Sequence, residues 1–143
     1  MQLTRFSDYS LRLLLYLAVH SDRPVSVREV ARAYGISPHH LVKIVQLLVR
    51  ERIIESVRGR GGGLRLGRAP GDINVGALTR LTEPHFDLVE CFDRDRNTCP
   101  IDAACGLKGT LLEARQAFLR VLDGRTLADY LPRSPQLIRL WKR

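Results

Sequence analysis

A segment in the first third of the chain constrains the fold most, because its helix-capping and turn residues define two short helices joined by a tight turn. Ser26 followed three residues later by Glu29 is the pattern of a capping box, which begins a helix. Gly35 provides a turn, and Ser37 followed by Pro38 begins the next helix as N-cap and first helical residue. Apolar residues recur at helical spacing along both stretches, at Val27, Val30, Ala31, Tyr34, Leu41, Ile44, Val45 and Leu48. This pattern predicts a helix-turn-helix.

A hairpin signal follows the second of these helices. One strand is predicted at Ile53, Ile54 and Val57, and its return strand at Leu64 and Leu66. The connecting loop, residues 58–63, reads RGRGGG. A nucleotide-phosphate loop is disfavoured because the GxxxxGK[ST] pattern is missing and no helix follows. The better interpretation is a basic β-wing that carries Arg58, Arg60 and Arg65.

The remaining elements are predicted to be helical. A first helix begins near Ser7, with a stripe to be buried at Leu11, Leu14, Leu15, Ala18 and Val19. A short helix is predicted over 75–81. A long helix runs from about Leu107 to Gly124, with one apolar face at Leu107, Leu111, Ala114, Phe118, Val121 and Leu122. Because so little other structure is left to pack on the long helix, we expect it to support a dimer. Thr126 caps a last turn through Tyr130, and we expect residues 132–143 to be loosely ordered.

The charge is distributed unevenly. Residues 1–68 contain twelve Arg and Lys against five Asp and Glu, a net +7 of the total +8, whereas residues 82–102 carry a net −4. A basic half of this kind fits binding to a phosphate backbone, although a solvated basic surface is the alternative. Besides the wing arginines, the candidate DNA contacts lie at the turn and on the polar side of the helix that follows it, at Ser37, His39, His40, Lys43 and Gln46. Ordinary solvent-facing residues are the alternative for each of them.

The three cysteines of the chain, Cys91, Cys99 and Cys105, fall within a stretch of fifteen residues. They form no CxxC pair, which counts against a zinc ribbon or finger. No signal peptide or membrane span is apparent, so we expect a cytoplasmic protein, where clustered cysteines bind metals or do redox chemistry more often than they form disulfides. Their spacing leaves three options open, namely an iron–sulfur cluster, zinc, and redox or buried structural thiols. An enzyme is not expected, because no nucleophile has a recognisable histidine partner and no carboxylate pair has acid–base spacing.

Four motifs resemble the NsrR-type members of the iron–sulfur winged-helix repressors, a group that also includes IscR and RirA. They are LTRFSDYSLR (3–12), VRGRGGGLRLGR (57–68), ECF…CPIDAACGLK (90–108) and AFLRVLDGRTLADYL (117–131), and they extend over nearly the whole chain. The resemblance implies a homodimer that binds a double-stranded operator. It also implies a 4Fe–4S cluster, with 2Fe–2S as the alternative, held by Cys91, Cys99 and Cys105. Nitric oxide is the implied signal, and operator DNA is released when the cluster is nitrosylated.

The fourth cluster ligand distinguishes the relatives. IscR-like proteins carry a histidine three residues past the last cysteine, where this chain has Lys108, a poor ligand when protonated. NsrR-like proteins carry an aspartate in the opening helix, matched here by Asp8, which can reach across a dimer to the partner's cluster. Arg12, one turn later, either tunes that ligation or forms a simple ion pair with Asp8. Lesser ligand candidates are His85, Asp93 and Asp95. An iron-responsive, RirA-like repressor and a zinc- or thiol-switch regulator are the alternative functions.

Together these inferences define the predicted architecture. The fold class is mainly α, with a winged helix-turn-helix domain, a two-stranded β-wing and a long C-terminal dimerisation helix. The DNA-binding domain covers residues 1–81 and the cluster-binding loop residues 82–106. The dimerisation helix and its C-terminal turn cover 107–131, and a tail covers 132–143.

Overall fold

The computed structural model describes residues 2–141, which form six α-helices and one two-stranded antiparallel sheet. In chain order the elements are α1 (Arg5–Val19), α2 (Val27–Tyr34), α3 (Pro38–Arg50), β1 (Ile54–Val57), β2 (Gly63–Leu66), α4 (Val75–Thr82), α5 (Gly106–Asp123) and α6 (Ser134–Trp141). Short 3₁₀ helices lie at Pro70–Asp72, Glu90–Phe92, Asp102–Ala104 and Leu127–Arg133. This confirms the predicted fold class. Among the described helices, none has the length and apolar character that a bilayer-spanning segment requires.

The helix-turn-helix begins and turns at the predicted residues. The Ser26 hydroxyl accepts a hydrogen bond from the backbone N–H of Glu29 at 3.1 Å, which caps α2. Gly35 ends α2 in the left-handed conformation, with φ of 63°, where a side chain would be strained. Ile36 is buried directly after this turn and holds α2 against α3. The Ser26 cap and the Gly35 turn therefore form as predicted. The capping box is only half formed, because the Glu29 carboxylate accepts from Tyr16 Oη at 3.0 Å and from Arg23 Nη1 at 3.0 Å.

Helix α1 lies at the centre of the core, but its buried face differs from the predicted stripe. The most deeply buried apolar positions are Leu13, Leu14, Leu17 and Ala18, whereas the predicted Leu11, Leu15 and Val19 are only partly buried. The prediction was wrong at these positions because α1 is covered on several sides, by α3, α4, β2 and the 3₁₀ helix that precedes α6. On α3, Leu41, Ile44 and Leu48 are each at most 1% exposed, as predicted, whereas the fourth predicted residue, Val45, is only partly buried.

The wing is a short antiparallel hairpin anchored to the core at its base. Ile54 pairs with Leu66 and Val57 with Gly63, so the strands are in register from end to end. Val25 forms an additional bridge to Leu64, with Val25 N donating to Leu64 O at 2.9 Å. A Cβ atom at Gly63 would lie 2.7 Å from the Val25 carbonyl oxygen, so this close approach requires glycine.

The C-terminal end of α5 is joined rigidly to the start of α4. Asn74 Nδ2 donates to the Asp123 carbonyl at 2.7 Å, and Arg80 forms an ion pair with the Asp123 carboxylate. A Cβ atom at Gly76 would lie 2.0 Å from Asp123 Oδ1, so the two helices touch at a residue without a side chain. The direction of α5 relative to α4 is thus set at this joint.

The end of the chain is more ordered than predicted. Residues 134–141 form α6, and the Trp141 ring lies 4.6 Å from the ring of Tyr16 and 5.5 Å from that of Tyr34. Burial of this large apolar ring against α1 and α2 offsets the entropy of ordering the segment, a long-range effect that local composition does not reveal. The expectation of a loose tail was therefore wrong for residues 132–141, which end a 3₁₀ helix and form α6, and residues 142 and 143 lie outside the described residues.

We expect Trp141→Ala to lower the free energy of unfolding by about 1–3 kcal/mol, because a half-buried aromatic contact is lost. Leu140→Ala is the matched control, since Leu140 is 58% exposed, and its effect should stay within about 0.5 kcal/mol. Urea unfolding followed by circular dichroism measures both. Equal stabilities for the two variants would show that α6 does not dock through Trp141.

Candidate DNA-binding surface and cysteine segment

The outer face of α3 presents the predicted polar residues to solvent. All five candidates at and after the turn are exposed, namely Ser37, His39, His40, Lys43 and Gln46. Ser37 occupies the N-cap position of α3, yet within the described chain its hydroxyl makes no capping hydrogen bond. That hydroxyl is therefore available to an external acceptor such as a phosphate oxygen.

The start of α1 adds residues to this surface that the sequence did not point to. The Tyr9 ring stacks on the His40 ring, with centroids 6.0 Å apart. Arg5, Tyr9, His39 and Lys43 contribute to the lining of a cleft of about 260 Å³ between α1 and α3. Arg5 and Tyr9 were missed because they lie about thirty residues before α3, and no local pattern predicts that they meet it. Arg5 brings a further cation to the same face.

The wing arginines are exposed as well. Arg58 and Arg60 lie in the turn between the strands, and Arg65 lies on β2 opposite Glu55. The turn is shaped by Gly59 and Gly61, whose φ angles of 98° and 83° favour glycine. The hairpin thus places the Arg58 and Arg60 cations at its tip, beyond the body of the domain.

The three cysteines lie on three separate turns of the segment between α4 and α5. Cys91 is within the 3₁₀ helix Glu90–Phe92, the Cys99 N–H donates to Asn97 Oδ1 at 3.1 Å, and Cys105 is the N-cap of α5. Each is a free, partly buried thiol. Across residues 2–141, no group of three metal-binding side chains converges, so the cysteine side chains are not preassembled. As a donor set, three free thiols in a chain segment with little regular structure fit an iron–sulfur cluster.

The neighbouring polar groups are engaged with one another. Lys108 Nζ donates to Asp102 Oδ1 at 2.5 Å, and this hydrogen bond raises the pKa of Lys108, so the amine stays protonated and is no ligand. His85 Nδ1 lies 3.6 Å from Asp87 Oδ2, and Asp93 Oδ1 accepts from the Asp95 N–H at 3.0 Å. None of these lesser candidates converges with the cysteines in the described chain.

Asp8 and Arg12 form a two-point ion pair on α1. Arg12 Nε donates to Asp8 Oδ1 and Nη2 to Oδ2, both at 2.8 Å. The hydrogen bond to Asp8 raises the pKa of Arg12, whose guanidinium carbon also lies 5.8 Å from the Tyr9 ring and 5.7 Å from the Tyr34 ring. The Asp8 side chain is still 41% exposed, so it remains accessible to another group.

A family model described as "Iron-dependent Transcriptional regulator" matches residues 3–133. The chain belongs to the Rrf2 family. Within this family, the transcriptional regulator NsrR of Halalkalibacterium halodurans is 49% identical over 143 residues, covering 99% of this chain and 98% of the relative. The NsrR of Bacillus subtilis is 45% identical with the same coverage.

Solved structures agree with this assignment. The chain is similar to IscR of T. potens, with a TM-score of 0.74 and 28% identity over 92% of this chain and 87% of that one. CymR of B. subtilis, named as a global cysteine regulator, superposes with a TM-score of 0.72 and 25% identity, covering 92% and 97%. The resemblance to NsrR-type regulators is thereby confirmed. This Rrf2 protein is a DNA-binding transcriptional regulator with a winged helix, and it is not an enzyme.

We expect the double variant Arg58→Gln, Arg60→Gln to bind DNA with a weaker dependence on salt. Each arginine that neutralises a phosphate contributes about 0.9 to the slope of log affinity against log salt, so removing two arginines should lower the slope by about 1.8 for each bound subunit. Titrating a mixed-sequence duplex at several salt concentrations gives this slope. Arg133→Gln removes an exposed charge in the C-terminal part and should leave the slope unchanged.

Proposed function

We propose that this Rrf2 protein is a cytoplasmic repressor whose iron–sulfur cluster senses nitric oxide and releases the operator when it reacts. The observation that carries the proposal is the set of three free, partly buried thiols between α4 and α5, in a chain 45–49% identical to regulators named NsrR. In this proposal the helix-turn-helix and the wing form the DNA-binding surface, and the cysteine segment forms the sensor.

Cys91, Cys99 and Cys105 would hold the cluster, a 4Fe–4S cluster in our proposal. When bound, the cluster supplies iron that reacts with nitric oxide. The segment is suited to reorganise around it, because Cys91 and Cys99 lie outside any strand or α-helix and Cys105 lies only at the start of α5. Binding energy from the iron–thiolate bonds would then order the segment.

We assign the fourth ligand to Asp8 of the partner subunit. Within one chain the Asp8 carboxylate is paired with Arg12, and it does not converge with the cysteines. A carboxylate that stays 41% exposed is open to a second subunit. Arg12 would then act as a competitor for Asp8, holding the carboxylate when the cluster is lost.

Helix α5 is the proposed dimer contact. Along its 18 residues none is fully buried, and Leu107 and Val121 are 64% and 67% exposed. Ile101, just before α5, is 62% exposed. Two copies of this helix would cover these apolar side chains. A dimer would also present two copies of α3, the proposed recognition helix, to the two half-sites of an operator.

The start of α1 links the proposed ligand to the DNA-binding surface. Asp8 and Tyr9 are adjacent, and the Tyr9 ring stacks on His40 of α3. A shift of the α1 start, caused by gain or loss of the Asp8 bond, would therefore move the recognition helix. Misplacing base contacts weakens operator binding by roughly 1–3 kcal/mol for each base pair lost.

Two alternatives have specific support. The family description, "Iron-dependent Transcriptional regulator", favours a repressor that responds to iron supply in the manner of RirA. The three free thiols, in a fold shared with a regulator named for cysteine, favour a zinc- or thiol-switch regulator. Metal analysis of protein isolated without oxygen, followed by addition of nitric oxide or an iron chelator, separates all three functions.

We expect protein isolated without oxygen to contain iron and sulfide, and to release its DNA when nitric oxide is added. Gel-shift titration of a duplex selected by the protein measures the release, and metal analysis measures iron and zinc. Release on iron chelation but not by nitric oxide would support the RirA-like alternative. A zinc-loaded or metal-free protein would support the thiol switch.

The matched variants are Cys→Ser substitutions. Changing all three cysteines to serine should abolish iron binding and the response to nitric oxide, while the helix-turn-helix stays folded by circular dichroism. Ser21→Ala alters an exposed residue of the DNA-binding domain and should leave the response intact. A triple-serine variant that still responds to nitric oxide would falsify the sensor assignment.

We expect mixed dimers to locate the Asp8 ligand. In a dimer that pairs an Asp8→Ala chain with a chain lacking all three cysteines, the cysteines of the first chain can meet only the Asp8 of the second. If ligation crosses the dimer, this mixed species loses iron to a chelator as slowly as wild type, whereas Asp8→Ala homodimers lose it faster. Asp22→Ala, an exposed carboxylate after α1, is the control. Fast loss from the mixed dimer would assign Asp8 to its own subunit or to no role.

A further inference from the structure

The outer face of α3 contains two apolar residues among polar ones, Val42 near its start and Val49 near its end. Val42 is 44% exposed, and the inward residues of this helix, Leu41 and Ile44, are at most 1% exposed. At 3.6 residues per turn, Val42 lies about 60° from His39 around the helix axis and about 40° from Gln46. It therefore shares a single face with His39, Gln46 and Lys43.

This face is turned away from the rest of the domain. Helix α3 packs against α1, α2 and β1 through its inward side. A β-branched residue at an exposed helical position contributes less to helix stability than alanine or a long polar residue, by roughly half a kcal/mol. Val42 therefore adds nothing to the core and slightly disfavours the helix. A bound partner that covered this side chain would remove its apolar surface from water.

The partner indicated by charge is duplex DNA. Lys43 and the wing arginines make the surface cationic, and residues 1–68 carry a net +7. Val42 is the fifth residue of α3, and recognition helices contact base edges through their N-terminal residues. A side chain at this position is close to the bases when the helix enters the major groove.

We propose that Val42 determines sequence specificity by contacting the 5-methyl group of a thymine in each operator half-site. The thymine methyl is the apolar group that the four standard bases present in the major groove. A valine has no donor or acceptor, so it would leave the N7 and O6 of guanine, or the N6 of adenine, without a partner when it excludes water. Thymine is thus favoured both by contact and by the penalty on the other bases. The inference rests on the DNA-binding function and is independent of the cluster.

The test removes the methyl group from DNA without changing base pairing. The protein, isolated without oxygen in its DNA-binding state, first selects its preferred site from a pool of random duplexes. Each thymine of that site is then replaced in turn by deoxyuridine, which lacks only the 5-methyl group. For wild type we expect one thymine per half-site whose replacement weakens binding about fourfold, the effect of one buried methyl-sized group.

The variants form a double-mutant cycle with the DNA. Val42→Ala should bind the thymine duplex more weakly than wild type does, by up to about fourfold for each half-site. Its affinity should not change when deoxyuridine replaces the critical thymine. Val42→Thr keeps one methyl group and should keep part of the discrimination. Because Val42 is exposed, all variants should retain the wild-type circular dichroism spectrum.

Val49→Ala is the matched control. Val49 is 37% exposed on the same helix but lies one residue from its C-terminal end, away from the part that contacts bases. We expect this variant to respond to deoxyuridine as wild type does. Any change of DNA shape caused by deoxyuridine would affect wild type and both alanine variants alike, so the difference between them isolates the methyl contact.

The outcomes separate this inference from the proposed function. A selected site without thymine in each half-site, or equal deoxyuridine sensitivity in wild type and Val42→Ala, overturns the role of Val42 and identifies it as an ordinary exposed valine. A protein that selects no duplex at all contradicts DNA binding itself. Sensitivity lost in Val42→Ala and retained in Val49→Ala supports the proposal.

Discussion

Burial of α1 is the interaction on which the rest of the structure depends. Leu13, Leu14 and Leu17 are at most 2% exposed, and they form one core with the inward side of α3. Each fully buried leucine contributes about 1.5–3 kcal/mol, so the three together are comparable with the net stability of a whole domain, about 5–15 kcal/mol. Because α1 is held this firmly, the residues at its start have defined positions relative to the recognition helix.

The same helix therefore has two roles. Its middle belongs to the core, and its first two turns carry Asp8, Tyr9 and Arg12 on the surface. The Asp8–Arg12 pair is exposed, and exposed ion pairs contribute little to stability, about 0–1 kcal/mol. A pair of this kind can exchange partners without unfolding the helix. An exchangeable ion pair on a firmly packed helix suits a helix that transmits the state of a sensor in our proposal.

The helix cap and the turns were predicted well because each depends on few neighbouring residues. The Ser26 cap, the Gly35 turn and the glycine-rich wing each follow from side-chain and backbone chemistry within four or five positions, and each lies where the sequence indicated. The buried face of α1 was predicted less well, because helical spacing assumes that one side is covered. Residues of α3, β2, α4 and the 3₁₀ helix before α6 cover α1 on several sides instead. The docking of Trp141 on Tyr16 joins residues 125 positions apart, and no periodicity reveals such a contact.

For the functional surfaces, the sequence alone determined the chemistry: three thiols in an acidic segment, a basic recognition helix and a basic wing. It also pointed to the ion pair of Asp8 and Arg12, since residues four apart on a helix are neighbours. Only the tertiary structure decided that Tyr9 stacks on His40, that Arg5 joins the face of α3, and that Val42 is left exposed there. The reason is physical: residue type and spacing specify what a side chain can do, whereas burial and long-range packing decide which groups meet.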